Sequence, residues 1–153
     1  MGLTLLETAT ILVAGMMAGN ELCVSFVNSV LRRQEGITHF HSARALAAFF
    51  GAIMPFWYAS TLLLAGGVAF RLRAAGNQAV LADLAAGIYL LSIVYTVIGL
   101  VPINNRIAKW EWETRPADWK QVHQKWDTRH GLRVAMLTLA LACLALACLT
   151  ART

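Results

Sequence analysis

Charge is scarce in this chain. Only 14% of its 153 residues are Asp, Glu, Lys or Arg, whereas 58% are hydrophobic. A soluble domain carries about 25% charged and about 45–50% apolar residues, and the mean hydropathy here is +0.59. A water-soluble globule is thereby excluded. Cysteine is equally sparse: Cys23, Cys143 and Cys148 all lie within apolar stretches and none sits in a paired loop. That excludes a disulfide framework or a cysteine metal cluster, and the three read as small apolar residues. Internal repeats and low-complexity tracts are missing too. The net charge of +5 is accounted for by membrane orientation, so no nucleic-acid partner is expected.

What the chain has instead is four long apolar stretches, roughly 3–31, 43–70, 79–101 and 131–150. Each meets the length of about 20 residues that crosses a hydrocarbon core of about 30 Å as a helix. The expected fold is all-α: a membrane-embedded four-helix bundle in a single domain over 1–153, with a projecting, partly amphipathic extension before the fourth helix. The first stretch lacks a basic start and an A-x-A cleavage site, and it is too long and polar for a signal peptide, so it is expected to stay. Four spans put the N-terminus, the connection near 71–78 and the C-terminus on one side, with Arg71, Arg73 and Arg152. The other side holds Arg32, Arg33, Arg44, Arg106, Lys109, Arg115, Lys120, Lys125, Arg129 and Arg133, the remaining ten of the 13 basic residues. The positive-inside rule then makes the first and third connections cytoplasmic and both termini external, in the cell (inner) membrane. Gly15-Met16-Met17-Ala18-Gly19 forms a G-x-x-x-G that permits close approach of a neighbouring helix, and a homo-oligomer is a candidate assembly.

The first span contains residues that a lipid-facing helix would avoid. Asn20, Glu21, Ser25 and Asn28 interrupt it. On a helix, Glu21, Ser25, Asn28 and Arg32 fall within roughly 40 to 60° of one another. An ionisable group in a membrane helix costs a few kcal/mol or more and marks a functional site by default. A stripe of interhelical hydrogen bonds is the structural alternative, although amides and hydroxyls would serve that end without charge.

Arg32-Arg33-Gln34-Glu35-Gly36 is expected to end the first helix, and a short loop to carry His39-Phe40-His41-Ser42. Pro55, in Met54-Pro55-Phe56-Trp57-Tyr58, kinks the second span. The third span is expected to close at Val101-Pro102. The last loop, about 102–129, is then the largest, and it holds Trp110, Trp112, Trp119 and Trp126, four of the five tryptophans. Indoles favour the headgroup region, so the first three are expected to form an interfacial belt. Thr114-Arg115-Pro116 reads as a helix start that runs on into span four. On that helix His123, Asp127 and His130 stand at i, i+4 and i+7 on one face. Two imidazoles and a carboxylate are a ligand set for a first-row metal. Glu21, His39 and His41 approach the same mouth and extend the candidate set. A solvated helix face is the plainer alternative.

Four segments, in this order, resemble the anthrone-oxygenase-like family of small four-helix membrane proteins. They are Ala18-Gly19-Asn20-Glu21, Met54-Pro55-Phe56-Trp57-Tyr58, Val101-Pro102-Ile103-Asn104-Asn105-Arg106 and Trp126-Asp127-x-x-His130-x-x-Arg133. The similarity covers nearly the whole chain, and Pro-x-Asn-Asn-Arg before Trp-Asp-x-x-His-x-x-Arg is its most specific mark. Fungal members of the family oxidise anthrone-type polyketides to anthraquinones with dioxygen; most bacterial members, which this chain resembles more, have no assigned substrate. Carried over by position, the resemblance points to Asn104, Asn105, Arg106, Trp126, His130 and Arg133, with Glu21 from the first span. His39 and His41 match no part of the motif.

The resulting expectation is a membrane-embedded oxidoreductase or oxygenase acting on a small apolar, aromatic or polycyclic, anthrone-like substrate. Glu21 or His130 would take a proton from an acidic C–H or phenolic O–H, with Arg133 beside them. Asn104, Asn105, Arg106 and Arg133 would hold the oxyanion, and Asn20, Asn28, Trp57, Tyr58 and Trp126 would complete the substrate contacts. The cofactor stays open: iron or copper on His123, Asp127 and His130, or no metal with dioxygen as co-substrate. The competing reading is a non-catalytic membrane protein, a small-molecule binder, transporter or accessory subunit, whose polar cluster is structural. Haem fits less well, because all four histidines lie at one end of the bundle.

Overall fold

The computed structural model describes residues 3–34 and 36–151. Glu35 of the expected first helix end and Arg152 of the charge asymmetry lie outside the described residues. Five α-helices follow in order: α1 (Leu5–Leu31), α2 (Gly36–Leu72), α3 (Asn77–Tyr95), α4 (Val101–Ala108) and α5 (Trp119–Thr150). A π-turn, Thr96–Leu100, joins α3 to α4, and the three together form one rod. The described residues therefore form four rods, each long and apolar enough to cross a membrane. It is an all-helical integral membrane bundle.

The start of α1 is fixed locally. The Thr4 hydroxyl accepts from the Glu7 amide at 3.4 Å, and the Thr4 amide donates to Glu7 Oε2 at 2.9 Å, a reciprocal cap of two otherwise orphaned donors. Around the bundle α1 lies against α2 and α5, and α3 lies against α2 and α5, so the rods form a four-sided ring. Ala14, Ala65, Ala82, Ala85, Ala140 and Ala147 are fully buried where they meet; small side chains let helix backbones close up where lipid supplies no hydrophobic drive. Leu12, Phe56, Leu63, Phe70, Leu90 and Leu139 face outward, as a lipid-facing surface requires.

The third rod changes partner part-way. α3 lies chiefly on α5, whereas α4, beyond the π-turn, lies chiefly on α2. Pro102 is the physical cause, because it brings no N–H and its ring crowds the preceding turn. The Val101 amide bonds the Thr96 carbonyl, one residue further back than in an α-helix. Arg129 Nη1, from α5, donates to the Gly99 carbonyl inside the widened turn at 2.6 Å.

Several sequence-based boundaries move. The expected first loop is helical: α2 begins at Gly36, so His39 and His41 sit on it. The third rod runs past Pro102 to Ala108, which shortens the last connection to residues 109–118. Polar residues at these places interrupt the apolar run without interrupting the helix. Trp110 and Trp119 are buried with Phe40, Ala43, Ala47 and Ile107 in a second core, against which Trp112 packs. The interfacial belt is thus an aromatic plug, in which Phe40 stacks on Trp110 at 6.1 Å and meets Trp119 edge-on at 5.5 Å. Ring faces buried against one another hold that plug together. Among the described residues of one copy nothing packs on the G-x-x-x-G, for a Cβ at Gly15 or Gly19 would meet nothing within 4 Å.

Candidate functional site

Between the alanine-rich core and the tryptophan plug lies a polar cluster drawn from α1, α2 and α5. Glu21, 2% exposed, is its centre. Tyr58 Oη donates to Glu21 Oε1 at 2.7 Å, and Arg133 Nη2 donates to Oε2 at 2.7 Å. Arg133 also reaches the π-turn, where Nη1 donates to Thr96 Oγ1 at 3.5 Å. α2, which runs unbroken through Pro55, presents Tyr58 three residues further on.

The contacts of His130 assign its proton. Its Nδ1 lies 2.8 Å from Arg133 Nη2, which can only donate, and its Nε2 lies 3.0 Å from the Glu21 backbone carbonyl, which can only accept. Nδ1 is therefore the lone pair and Nε2 carries the hydrogen, a neutral imidazole. The 3.3 Å approach of Nδ1 to Glu21 Oε2 brings two acceptors together, and the shared guanidinium N–H groups hold them there. Trp126 stacks on His130 at 4.7 Å and on His123 at 6.2 Å, both at 11° between planes.

Beside this cluster is a small cavity of about 30 Å³, with Glu21, Asn28, Asn104, His123, Trp126 and Arg133 on its polar side. Val24, Leu46, Phe50, Met54 and Ile107 make its apolar walls. Three of the polar liners carry a buried atom with no partner: Asn28 Oδ1, Trp126 Nε1 and Arg133 Nε. An orphaned buried donor or acceptor costs about 1–3 kcal/mol. Three around one space mark unused binding capacity. The volume fits one or two water-sized molecules and no polycyclic one.

Asn104 reaches this cavity across a close backbone approach. Its Nδ2 donates to the Ala47 carbonyl at 2.8 Å, and a Cβ at Gly51 would stand 2.9 Å from that nitrogen. Its neighbours in sequence go elsewhere. Asn105 and Arg106 are exposed, and Arg106 lies 3.9 Å from the equally exposed Asp118. Asn20 Nδ2 approaches Met54 Sδ at 3.9 Å, and Trp57 Nε1 donates to the Val13 carbonyl at 3.2 Å; neither lines the cavity.

The candidate metal ligands are not brought into one set. Asp127 is taken up by Asn28 Nδ2 at 3.1 Å and by an ion pair with Arg32. His123 Nδ1 lies 3.7 Å from Asp127 Oδ2 and 3.0 Å from His39 Nε2. His130 is engaged by Arg133 and the Glu21 carbonyl, and His41 is exposed. Among the described residues no group of three or more His, Cys, Asp or Glu side chains is placed to hold a metal ion.

A second buried carboxylate escaped the sequence reading. Glu7, 2% exposed, pairs with Arg71 Nη1 at 2.7 Å at the opposite end of the bundle. Its signal was the Thr-x-x-Glu cap at the start of the first span. Thr128 and Gly131, which flank His130 together with Ser25 of the polar stripe, were also outside the expected site.

Fold and cluster together define a class: integral membrane helical bundles with an ion pair, a neutral imidazole and unsatisfied hydrogen-bonding atoms enclosed at one end. The anthrone oxygenase family matches residues 46–143, well over half of the chain, and the protein belongs to that family. The match takes in Tyr58, Asn104, Trp126, His130 and Arg133, while Glu21 lies ahead of it. No curated protein and no solved structure matches the chain.

Proposed function

We propose that the protein is a membrane-embedded oxygenase that converts a ring methylene of a small polycyclic, anthrone-like substrate to a carbonyl. In that reaction the CH₂ loses two hydrogens, one atom of dioxygen becomes the carbonyl oxygen, and the other leaves as water. The observation that carries the reading is the junction of Glu21, His130 and Arg133 beside three unpartnered polar atoms. One guanidinium nitrogen serves both candidate bases. An oxyanion that draws Arg133 toward itself uncovers the His130 Nδ1 lone pair and Glu21 Oε2 together, so charge stabilisation and proton acceptance are coupled. Arg133 Nε and Trp126 Nε1 supply further donors, and the small apolar-walled cavity suits dioxygen.

The test is dioxygen uptake with anthrone in mild detergent, with anthraquinone formation followed on the same sample and elemental analysis for iron and copper. Uptake matched by quinone supports the reading; a folded protein with neither sinks it. A second reading has its own support: each carboxylate oxygen of Glu21 and each ring nitrogen of His130 already has a protein partner, as a purely structural cluster would. By the excess of basic residues, the tryptophan-plugged end is cytoplasmic. Labelling of a cysteine at Lys120 from outside the cell would overturn that orientation.

A further inference from the structure

A groove of about 290 Å³ runs between α1 and α5, lined by Ser25, Arg32, Asp127, Thr128, His130 and Gly131. It is nearly tenfold larger than the inner cavity, close to the lower end of ligand-sized sites at about 300 Å³. His130 forms part of its wall, while Glu21 and Arg133 line the cavity on the other side. The cluster thus partitions two chambers, one of dioxygen size and one that approaches the size of a fused-ring molecule. Leu22 and Phe26, near Ser25 in sequence, and Leu132, next to Gly131, are exposed as lipid-facing residues are. Arg32 is paired with Asp127 and His130 is neutral by its contacts, so the groove carries no net charge. An uncharged planar molecule with a hydroxyl or keto oxygen suits it better than an anion.

Two details single out what the groove is for. Ser25, which lines the groove from α1, carries a buried hydroxyl oxygen without a hydrogen-bond partner. Gly131 lies in the interior of α5, where glycine is unfavourable relative to alanine, and a Cβ there would meet nothing within 4 Å. No packing contact requires the glycine. Its missing side chain keeps space open next to His130.

We infer that the α1–α5 groove is the aromatic substrate's binding site, reached from the bilayer, with Gly131 setting its width and Ser25 receiving a polar ring substituent; this rests on the oxygenase reading. The probe is 9,10-anthraquinone, with binding followed by tryptophan quenching in mild detergent, since Trp126 stacks directly on His130. Gly131→Leu, and independently Ser25→Leu from the facing wall, should each weaken binding at least tenfold while thermal unfolding stays near wild type. Gly131→Ala should weaken it two- to threefold and raise the unfolding temperature. Wild-type binding that persists within twofold in both leucine variants overturns the groove and leaves the oxygenase reading standing. No anthraquinone binding by the wild type overturns both. Displacement of the quinone by short-chain phosphatidylglycerol would assign the groove to a lipid headgroup and overturn the inference.

Discussion

Glu7 and Glu21 stand about four turns, roughly 21 Å, apart on one helix, equally buried and each 2.7 Å from an arginine. Their surroundings differ. Glu7 closes the cap of α1, and its partner Arg71 has a side chain 45% exposed. Local helix termination accounts for it. Glu21 lies mid-helix, where backbone groups need no cap, and its partner Arg133 is 8% exposed. It is also met by Tyr58 and lies against a cavity holding three orphaned polar atoms. An ion pair alone does not mark a candidate site; an ion pair that no local need explains, next to unsatisfied atoms, does.

The largest expected effect comes from removing each arginine. Arg133→Met leaves Glu21 enclosed and unpaired and should cost about 3–5 kcal/mol. Arg71→Met should cost less, about 1–3 kcal/mol, because the Thr4 amide still donates to Glu7 and solvent already reaches the arginine. Denaturant unfolding of both in the same detergent measures the difference, and equal losses would erase the distinction between the two ends. Glycine substitutions sharpen it at smaller scale. Gly51→Ala crowds Asn104 Nδ2, whose shift should weaken its bond to the Ala47 carbonyl and destabilise by about 1 kcal/mol. Gly67→Ala, toward the Glu7 end, meets only Leu6 at 3.7 Å and should stabilise by about 0.5–1 kcal/mol. Thermal scans check the opposite signs. Least in stability is Trp126→Phe, which keeps a stacking ring and deletes an orphaned donor. Unfolding should change by about 1 kcal/mol or less, while anthrone-dependent oxygen uptake falls; uptake unchanged would remove Trp126 from the site.

Much of this architecture was legible in the sequence, and what was not has physical causes. The four spans could be read because lipid imposes a minimum apolar length, and Glu21 because a charge in such a span is costly. Glu7 passed unnoticed since a carboxylate three residues after a threonine reads as an ordinary helix start. The extension of α2 back to Gly36 was hidden by Thr38, His39, His41 and Arg44, polar residues that end a hydropathy window but not a helix. The π-turn matters most for the site. One extra residue per turn rotates everything beyond it by about 100°, so the face given to Asn104 and denied to Asn105 and Arg106 was beyond periodicity. The tryptophans followed packing because Phe40, carried on the longer α2, was there to receive them.

The double variant Glu21→Gln with Arg133→Met tests the central claim, that this cluster is a reaction centre and not a scaffold. Replacing both members of a buried pair by neutral groups is often neutral or stabilising, so the fold should be far less destabilised than by Arg133→Met alone. Anthrone-dependent oxygen uptake is the measurement, made beside thermal unfolding of the same preparation. The account predicts an unfolding temperature within a few degrees of wild type and no uptake above background. Uptake retained at the wild-type rate in the folded double variant would contradict it.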